Sequence, residues 1–278
     1  MKVKEYLKSH RNAYLKYRKY RYDLILRMNV FKKQFLNVID FRYNKLMINL
    51  GGGNYFRRHW KVMDYPSPHY SLKNWVLDYE YDLTSRKPFP LSDNSVYAFF
   101  CSHTMEHIPQ EYCSFILKEI YRTLMPNGTI RFTNDDFEKA YRAYSENNIK
   151  FFEKYEGNNI DEKFLCLFAT WYMHELSPQK LEENVNELRR LHKVLSMEEL
   201  ADYFTLKIPK ESQKKRSGNH INWWTCDKYI RMLKECGFSQ VYKSQPQQSK
   251  CLEMRGFGRN SGFDSTHPEI SLFVEAIK

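Results

Sequence analysis

From Lys45 onward, short apolar runs alternate with stretches of helical periodicity, and the apolar runs end at turn or polar residues. Strands are predicted at 46–50, 62–64, 75–77, 96–101 and 129–133. Residues 111–124 have the spacing of an amphipathic helix, which we expect to stop at Pro126-Asn127-Gly128. Strands that alternate with helices in this way are typical of a parallel sheet built from right-handed crossovers.

The second half of the chain changes this pattern. Residues 137–205 are mostly helical in periodicity, with mixed charge and many bulky aromatic side chains. A helix at 227–236 and two strands at 238–243 and 270–277 then close the chain. The sequence therefore predicts an α/β fold, with a Rossmann-like, mostly parallel seven-stranded sheet flanked by helices, an N-terminal helical segment and a helical insertion.

Four regions are expected within this fold. They are an N-terminal helical lid (1–44), a cofactor-binding Rossmann-like core (45–137), a mostly helical insertion or acceptor cap (138–222), and a closing helix with the last strands of the core (223–278). The lid is predicted because apolar residues recur at helical spacing among many Lys, Arg and Tyr residues. A basic aromatic helix of this kind could instead lie on RNA or on a membrane.

Composition limits which kinds of partner and which cellular compartment we expect for the protein. The chain has 44 Lys and Arg against 33 Asp and Glu, a net charge of +11, which favours an anionic partner, although a Lys-rich surface also serves solvation alone. Six scattered cysteines without a CxxC pair are typical of reduced thiols. No apolar run approaches the ~18 residues of a membrane span, and the N-terminus lacks a signal-peptide core. We therefore expect a cytoplasmic protein without a transmembrane segment.

Candidate ligand-binding residues follow the first three predicted strands. Gly51-Gly52-Gly53 comes directly after a buried strand, Asp64 ends the second, and Asp82 follows the third. Ligands of open α/β sheets bind at the carboxyl ends of the strands. Glycines there allow close backbone approach and leave amides free. A glycine turn alone is weak evidence, but the ordered set of a glycine turn and two acidic residues is considerably stronger.

These residues resemble a known family. Ile48–Gly53 is similar to the first motif of class I S-adenosylmethionine methyltransferases, and the runs at 82–95, 102–108 and 117–133 resemble the branch often labelled type 11. The resemblance covers roughly residues 45–137 and implies S-adenosyl-L-methionine as the cofactor. It implies that Gly51 and Gly53 line the methionine part, that Asp64 binds the ribose and that Asp82 binds the adenine.

The full predicted cofactor site comprises Asn49, Gly51, Gly52, Gly53, Asp64, Asp82, Ser102 and His103. Two positions depart from the family pattern, because Asn49 stands where an acidic residue is common and Tyr55 stands where a glycine is common. Asn49 can still form hydrogen bonds but carries no charge for the cofactor's ammonium group. These departures keep open a methyltransferase-like protein that binds a partner without turnover.

Two histidines are candidate catalytic residues. His103 follows the fourth strand, where it should face the transferred methyl group, and an imidazole can accept a proton near neutral pH. The alternatives are that it caps the next helix or contacts the cofactor. His220 lies beside two tryptophans after a basic segment, where it could form a wall of the acceptor pocket or lie in a solvated loop.

The histidines that follow the fourth strand could also bind a metal ion. His103 and His107 are spaced i, i+4 and could share a helix face, with Asp135 and Asp136 as additional ligands. No third histidine is convincingly placed, so no metal is predicted. His107 is expected to be structural, and Asp135 and Asp136 are expected to shape the acceptor pocket or cap the next helix.

The substrate prediction depends on the C-terminal strands. Gly237-Phe238 and Ser271–Ala276 resemble the closing strands of those methyltransferases that are associated with bacterial surface-polysaccharide biosynthesis. The resemblance implies O-methylation of a sugar, a nucleotide-activated sugar or a related phosphorylated precursor. RNA methylation is the alternative within the enzyme class, although no RNA-binding module is evident. We expect a small, polar, anionic acceptor, no stable nucleic acid complex, and an oligomer as an open possibility.

Overall fold

A seven-stranded sheet forms the centre of the computed structural model, which describes residues 45–53, 57, 59–66, 77–255 and 267–278. Its strands are β1 (Leu46–Leu50), β2 (Trp60–Asp64), β3 (Tyr79–Glu80), β4 (Val96–Ser102), β5 (Leu124–Asp135), β6 (Gln240–Lys243) and β7 (Ser271–Ile277). The strand order is β3-β2-β1-β4-β5-β7-β6. β1 to β5 pair in parallel, and β7 runs antiparallel between β5 and β6. The predicted Rossmann-like, mostly parallel seven-stranded sheet is confirmed.

Helices flank this sheet. Within the described residues they are α1 (Gln110–Thr123), α2 (Phe137–Ser145), α3 (Ile160–Phe168), α4 (Trp171–Glu175), α5 (Pro178–Leu191), α6 (Met197–Thr205), α7 (Ser212–Lys215) and α8 (Cys226–Glu235). A short 3-10 helix, Met105–His107, connects β4 to α1. Further 3-10 helices are Ile149–Phe152 and Leu252–Met254.

The buried residues explain why the central strands read as continuous apolar runs. In β4, Val96 and Ala98–Cys101 are all buried, because the strand is covered on both faces and lies between β1 and β5. One hydrophobic cluster joins the sheet to α1 and α8, and a second fills the helical region around Phe137, Phe164 and Phe168. The helices of residues 137–215 thus have their own apolar centre, while the region boundaries remain predictions.

Two predicted elements need correction. The third strand was expected at 75–77, but β3 is Tyr79–Glu80; Leu77 lies outside any strand, and residues 75 and 76 are outside the described part. The first helix ends at Thr123, and β5 begins directly at Leu124 rather than after a separate turn. The pairing of β4 with β5 skips from Val96↔Leu124 to Ala98↔Thr129, so the predicted turn residues form an irregularity within β5.

The described residues contain no helix that is both long and apolar enough to cross a membrane. The predicted lid at residues 1–44 lies outside the described part of the chain.

A fully buried ion pair stabilises the antiparallel half of the sheet. Arg131 on β5 donates to Glu275 Oε1 on β7 at 2.8 Å, and both side chains are completely buried. The guanidinium also donates to Gln245 O and Gln248 O at 2.8 and 2.7 Å, while Glu275 Oε2 accepts from Tyr242. This network joins the loop after β6 to the sheet.

Removing one partner of this pair should leave an uncompensated buried charge. We expect Arg131→Met to lower the free energy of unfolding by about 3–5 kcal/mol. The double variant R131M/E275M should be more stable than R131M alone, because it removes the unpaired carboxylate. Urea unfolding of wild type and the two variants measures this; a double variant that is no more stable than R131M would contradict the account.

Candidate cofactor and acceptor site

The glycine turn after β1 packs closely against the residue that follows β4. Gly51 has φ +68° and Gly53 has φ +57°, both in the left-handed region. A Cβ atom on Gly51 would overlap the side chain of Thr104, whose Oγ1 donates to Ser102 O at 3.2 Å. The turn therefore requires glycine at position 51, and it lies where the carboxyl ends of β1 and β4 meet.

Asp64 joins the end of β2 to this turn. Its Oδ2 accepts from the Gly53 amide and its Oδ1 from the Tyr65 amide, both at 2.7 Å. Burial raises the pKa of the Asp64 carboxyl, and the two backbone hydrogen bonds partly oppose this effect. The carboxylate is thus fixed at the carboxyl edge of the sheet, beside the glycine turn.

Asp82 lies two residues after β3, in a turn that holds only one of its oxygens. Its Oδ1 accepts from the Thr84 amide at 2.8 Å and from the Thr84 hydroxyl at 2.7 Å. The side chain is half-buried, and its Oδ2 has no hydrogen-bond partner among the described residues. Asp82 therefore offers a free acceptor on the side of β2 remote from β4.

Asn49 and Ser102 lie deeper in the sheet than these acidic residues. Asn49 is 4% exposed, and its amide lies directly under Gly52, where an added Cβ would overlap it. Ser102 Oγ and Thr133 Oγ1 share a hydrogen bond of 2.6 Å between β4 and β5. Both side chains support the turn and the strand ends, and their predicted contacts with a cofactor remain predictions.

His103 follows β4 in a left-handed backbone conformation, with φ +49°. Its Nδ1 is 3.0 Å from Glu106 Oε1, and its side chain is 32% exposed. Burial lowers the pKa of His103, but the hydrogen bond and charge of Glu106 outweigh this and raise the pKa above its ordinary value. A histidine that is anchored through Nδ1 presents Nε2 as its second polar atom.

Glu106 itself is 2% exposed. Its Oε2 accepts from the Asn134 amide, which in turn accepts from the Tyr229 hydroxyl at 2.5 Å. Burial would raise the pKa of Glu106, but the hydrogen bond to His103 and nearby histidines lower it to about 2. This carboxylate is therefore ionised, and it was not among the residues predicted for the site.

His107 and His220 lie edge to face, with ring centroids 4.9 Å apart. His107 Nδ1 is 3.0 Å from Asn219 O, and His220 Nδ1 is 2.5 Å from Leu167 O. Burial lowers the pKa of His107 to about 4, and the neighbouring His220 contributes. One ligand atom each from Glu106, His107 and His220 lie within 4.8 Å of one another. His107 thus lies beside two other groups that could hold a metal ion, and its structural role stays a prediction.

Charged residues at the end of β5 and in the helical region form a polar wall beside His220. Asp135 at the end of β5 is 2.9 Å from Lys154 Nζ, and its second oxygen is 3.7 Å from His220 Nδ1. Asp136 caps α2 by accepting from the Lys139 amide, as one of the predictions for it stated. Burial next to Asp135 raises the pKa of the Tyr155 hydroxyl. The wall is polar and carries both signs of charge.

The structure brings together some predicted residues and separates others. The Gly53 amide donates to Asp64, the Gly51 amide donates to Met63 O, and His103 lies at the same carboxyl edge beside Glu106. His103 and His107 do not share a helix face, which was considered as an alternative from their spacing, because His103 precedes the 3-10 helix and bonds to Glu106. The group that could hold a metal contains His220 instead.

Comparison with known proteins gives one family match. Residues 67–132 match the family described as "Methyltransferase domain". No curated protein sequence matches the chain. The matched segment covers less than half of the chain and is similar to a methyltransferase domain.

Solved structures resemble the chain at low identity. Human N-acetylserotonin methyltransferase in complex with SAM is 15% identical over 84% of this chain, with a TM-score of 0.37, and this chain spans 47% of that protein. A SAM-dependent methyltransferase, possible histamine N-methyltransferase, from Thermotoga maritima is 12% identical, with 94% and 95% coverage of the two chains and a TM-score of 0.41. An S-adenosylmethionine dependent methyltransferase from Mesorhizobium loti is 11% identical, with 89% of this chain and 97% of that protein covered and a TM-score of 0.42.

The close packing of Gly51 against Thr104 yields a stability prediction. We expect Gly51→Ala to cost about 1–2 kcal/mol for the left-handed backbone and about 1–3 kcal/mol more for the overlap. Thr104→Ala in the same chain should recover part of the second cost, because it removes the overlapping Oγ1 and Cγ2 atoms. A urea-unfolding double-mutant cycle measures this coupling. A G51A variant as stable as wild type would contradict the described turn.

Proposed function

We propose that this protein transfers the methyl group of S-adenosylmethionine to an oxygen atom of a small, polar, anionic acceptor. The proposed acceptor is a sugar, a nucleotide-activated sugar or a related phosphorylated precursor of a surface polysaccharide. One observation carries the reaction: the glycine turn and Asp64 lie at the same edge of the sheet as the His103–Glu106 pair. A cofactor bound by the former would present its methyl group towards the latter.

The cofactor half of the site would be formed by β1, β2 and the turn after β3. The Gly51–Gly53 turn would approach the methionine part, because glycines leave the backbone accessible. Asp64 would accept hydrogen bonds from the ribose hydroxyls, and the free Oδ2 of Asp82 would accept from the adenine amine. Asn49, Gly52 and Ser102 would support this surface from below.

His103 would act as the general base in the acceptor half. The cofactor would supply an electrophilic methyl group, and transfer of this group to the acceptor oxygen would break the carbon–sulfur bond and leave a neutral thioether. The acceptor proton passes to His103 Nε2, and the resulting imidazolium is stabilised by the ionised Glu106 at 3.0 Å. Positioning in line supplies much of the remaining rate.

The composition of the wall favours a polar acceptor. Asp135 lies 2.9 Å from Lys154 Nζ and 3.7 Å from His220 Nδ1, so an acceptor bound here would meet a charged surface that suits polar groups better than apolar ones. Lys154 is 27% exposed and would meet a phosphate or carboxylate. The net charge of +11 agrees with an anionic acceptor. His220 would contact the acceptor rather than remove its proton.

The two alternatives have less support. RNA methylation depends on the basic segment 1–44, which lies outside the described residues. A partner-binding protein without turnover is motivated by Asn49 and Tyr55, whereas the acidic residues Asp64 and Asp82 are present and positioned by hydrogen bonds.

Cofactor binding tests the first half of the proposal. Calorimetric titration with S-adenosylmethionine should give micromolar affinity, on the order of −8 kcal/mol, and Asp64→Ala should weaken it at least tenfold by removing the ribose acceptor. Asp227→Ala, which removes an exposed carboxylate on α8, is the matched control and should bind as wild type does. No binding by folded wild-type protein would refute the enzyme proposal.

Turnover tests the second half. A panel of nucleotide-activated sugars is assayed by the formation of S-adenosylhomocysteine, and His103→Asn is compared with wild type on the accepted sugar. Asparagine tolerates the left-handed backbone at this position but accepts no proton near neutral pH. We expect a rate about 10²–10⁴-fold lower, with the affinity for S-adenosylmethionine unchanged. His192→Asn, on the helical region, is the control. Full activity in H103N would exclude His103 as the base, and no accepted sugar would refute the substrate class.

A further inference from the structure

We propose that Glu106, His107 and His220 bind one divalent transition-metal ion at the carboxyl edge of the sheet. One carboxylate oxygen and one nitrogen from each histidine already lie within 4.8 Å of one another. A tetrahedral cation about 2.1 Å from each ligand atom holds these atoms about 3.4 Å apart. A movement of about 1 Å by each of the three side chains would therefore close the site.

The hydrogen bonds of both histidines orient them as ligands. Asn219 O and Leu167 O are carbonyl oxygens that only accept, so Nδ1 of His107 and Nδ1 of His220 must carry the protons in these bonds. Each neutral ring then has an unprotonated Nε2, and neither Nε2 has a hydrogen-bond partner among the described residues. A ligating histidine whose other ring nitrogen donates to a carbonyl is the usual arrangement at metal sites.

Backbone contacts fix the distance between the two elements that supply the ligands. Glu106 O accepts from the Ile221 amide at 2.9 Å and from the Asn222 amide at 3.1 Å. The 3-10 helix that carries Glu106 and His107 is thereby tied to the segment that carries His220. The three ligands are thus held together before any ion binds, which lowers the ordering cost of coordination.

Glu106 can take part without losing its present hydrogen bonds. Its two oxygens accept from His103 and Asn134, and an ionised carboxylate has about four lone-pair positions. Two imidazoles and one carboxylate suit Zn²⁺, Co²⁺ or Fe²⁺ better than Mg²⁺ or Ca²⁺, which prefer oxygen ligands alone. The ion would retain open positions for oxygen atoms of an acceptor, whose hydroxyl it would acidify.

Metal binding itself is the test, so its outcome is separate from that of the proposed methyl transfer. The full chain, freed of metal with a chelator and dialysed, is titrated with CoCl₂ and with ZnCl₂. We expect one ion per chain with micromolar affinity, and visible Co²⁺ absorption of a nitrogen- and oxygen-coordinated ion. His107→Gln and His220→Gln should each weaken binding at least tenfold, whereas His192→Gln, which removes a histidine outside the cluster, should not.

A second measurement uses the unaltered protein, in case a variant fails to fold. Diethylpyrocarbonate modifies free imidazole nitrogens, and mass spectrometry identifies the modified residues. Zn²⁺ should reduce the modification of His107 and His220 and leave that of His192 unchanged. Absence of stoichiometric binding, binding that is equally strong in folded H107Q and H220Q, or equal modification with and without Zn²⁺ would each overturn the proposal.

Discussion

Burying a carboxylate away from water costs several kcal/mol unless the charge is paired and its lone pairs are used. Glu106 is under this constraint, since only 2% of the residue is exposed. His103 compensates one oxygen and the Asn134 amide compensates the other, while the Glu106 carbonyl accepts two amides from residues 221 and 222. The end of β4, the end of β5 and the segment before α8 are therefore joined at a single residue.

The hydrogen bonds that stabilise the buried Glu106 carboxylate also hold His103, the proposed base. The Asn134 amide is itself oriented by the Tyr229 hydroxyl, so the direction of the Glu106 carboxylate also depends on α8. His103 is in turn held by that carboxylate in a backbone conformation that non-glycine residues rarely adopt. A site residue with an unfavourable φ persists because several contacts determine it together.

The sheet was predictable from sequence because parallel strands buried on both faces read as uninterrupted apolar runs, as in β1 and β4. β3 was predicted in the wrong place because a two-residue edge strand has no such run. The prediction was made instead at the apolar residues 75–77, just before it. The contact between Asp64 and the Gly53 amide followed from parallel strands ending at one edge. Glu106 was not predicted as a site residue, because the sequence shows only that it lies three residues after His103. The 3-10 helix is what brings the two side chains into a hydrogen bond. The meeting of His107 with His220 depends on tertiary packing across 113 residues and leaves no local pattern.

The two halves of the site thus differ in their physical origin. The cofactor half consists of backbone turns and acidic residues at consecutive strand ends, so its geometry follows from the sheet and tolerates change elsewhere. The acceptor half is formed by side chains that the helical region brings to that sheet, including Lys154 and His220. Substitutions within residues 138–222, the predicted insertion, would therefore alter the charge and shape that the proposed acceptor meets, while β1, β2 and β4 keep their register. Since the insertion has its own apolar cluster, such changes do not require the core of the sheet to repack. On the proposed function, acceptor choice would thereby be separated from cofactor binding within one chain, and the Glu106 contacts would keep the two halves aligned.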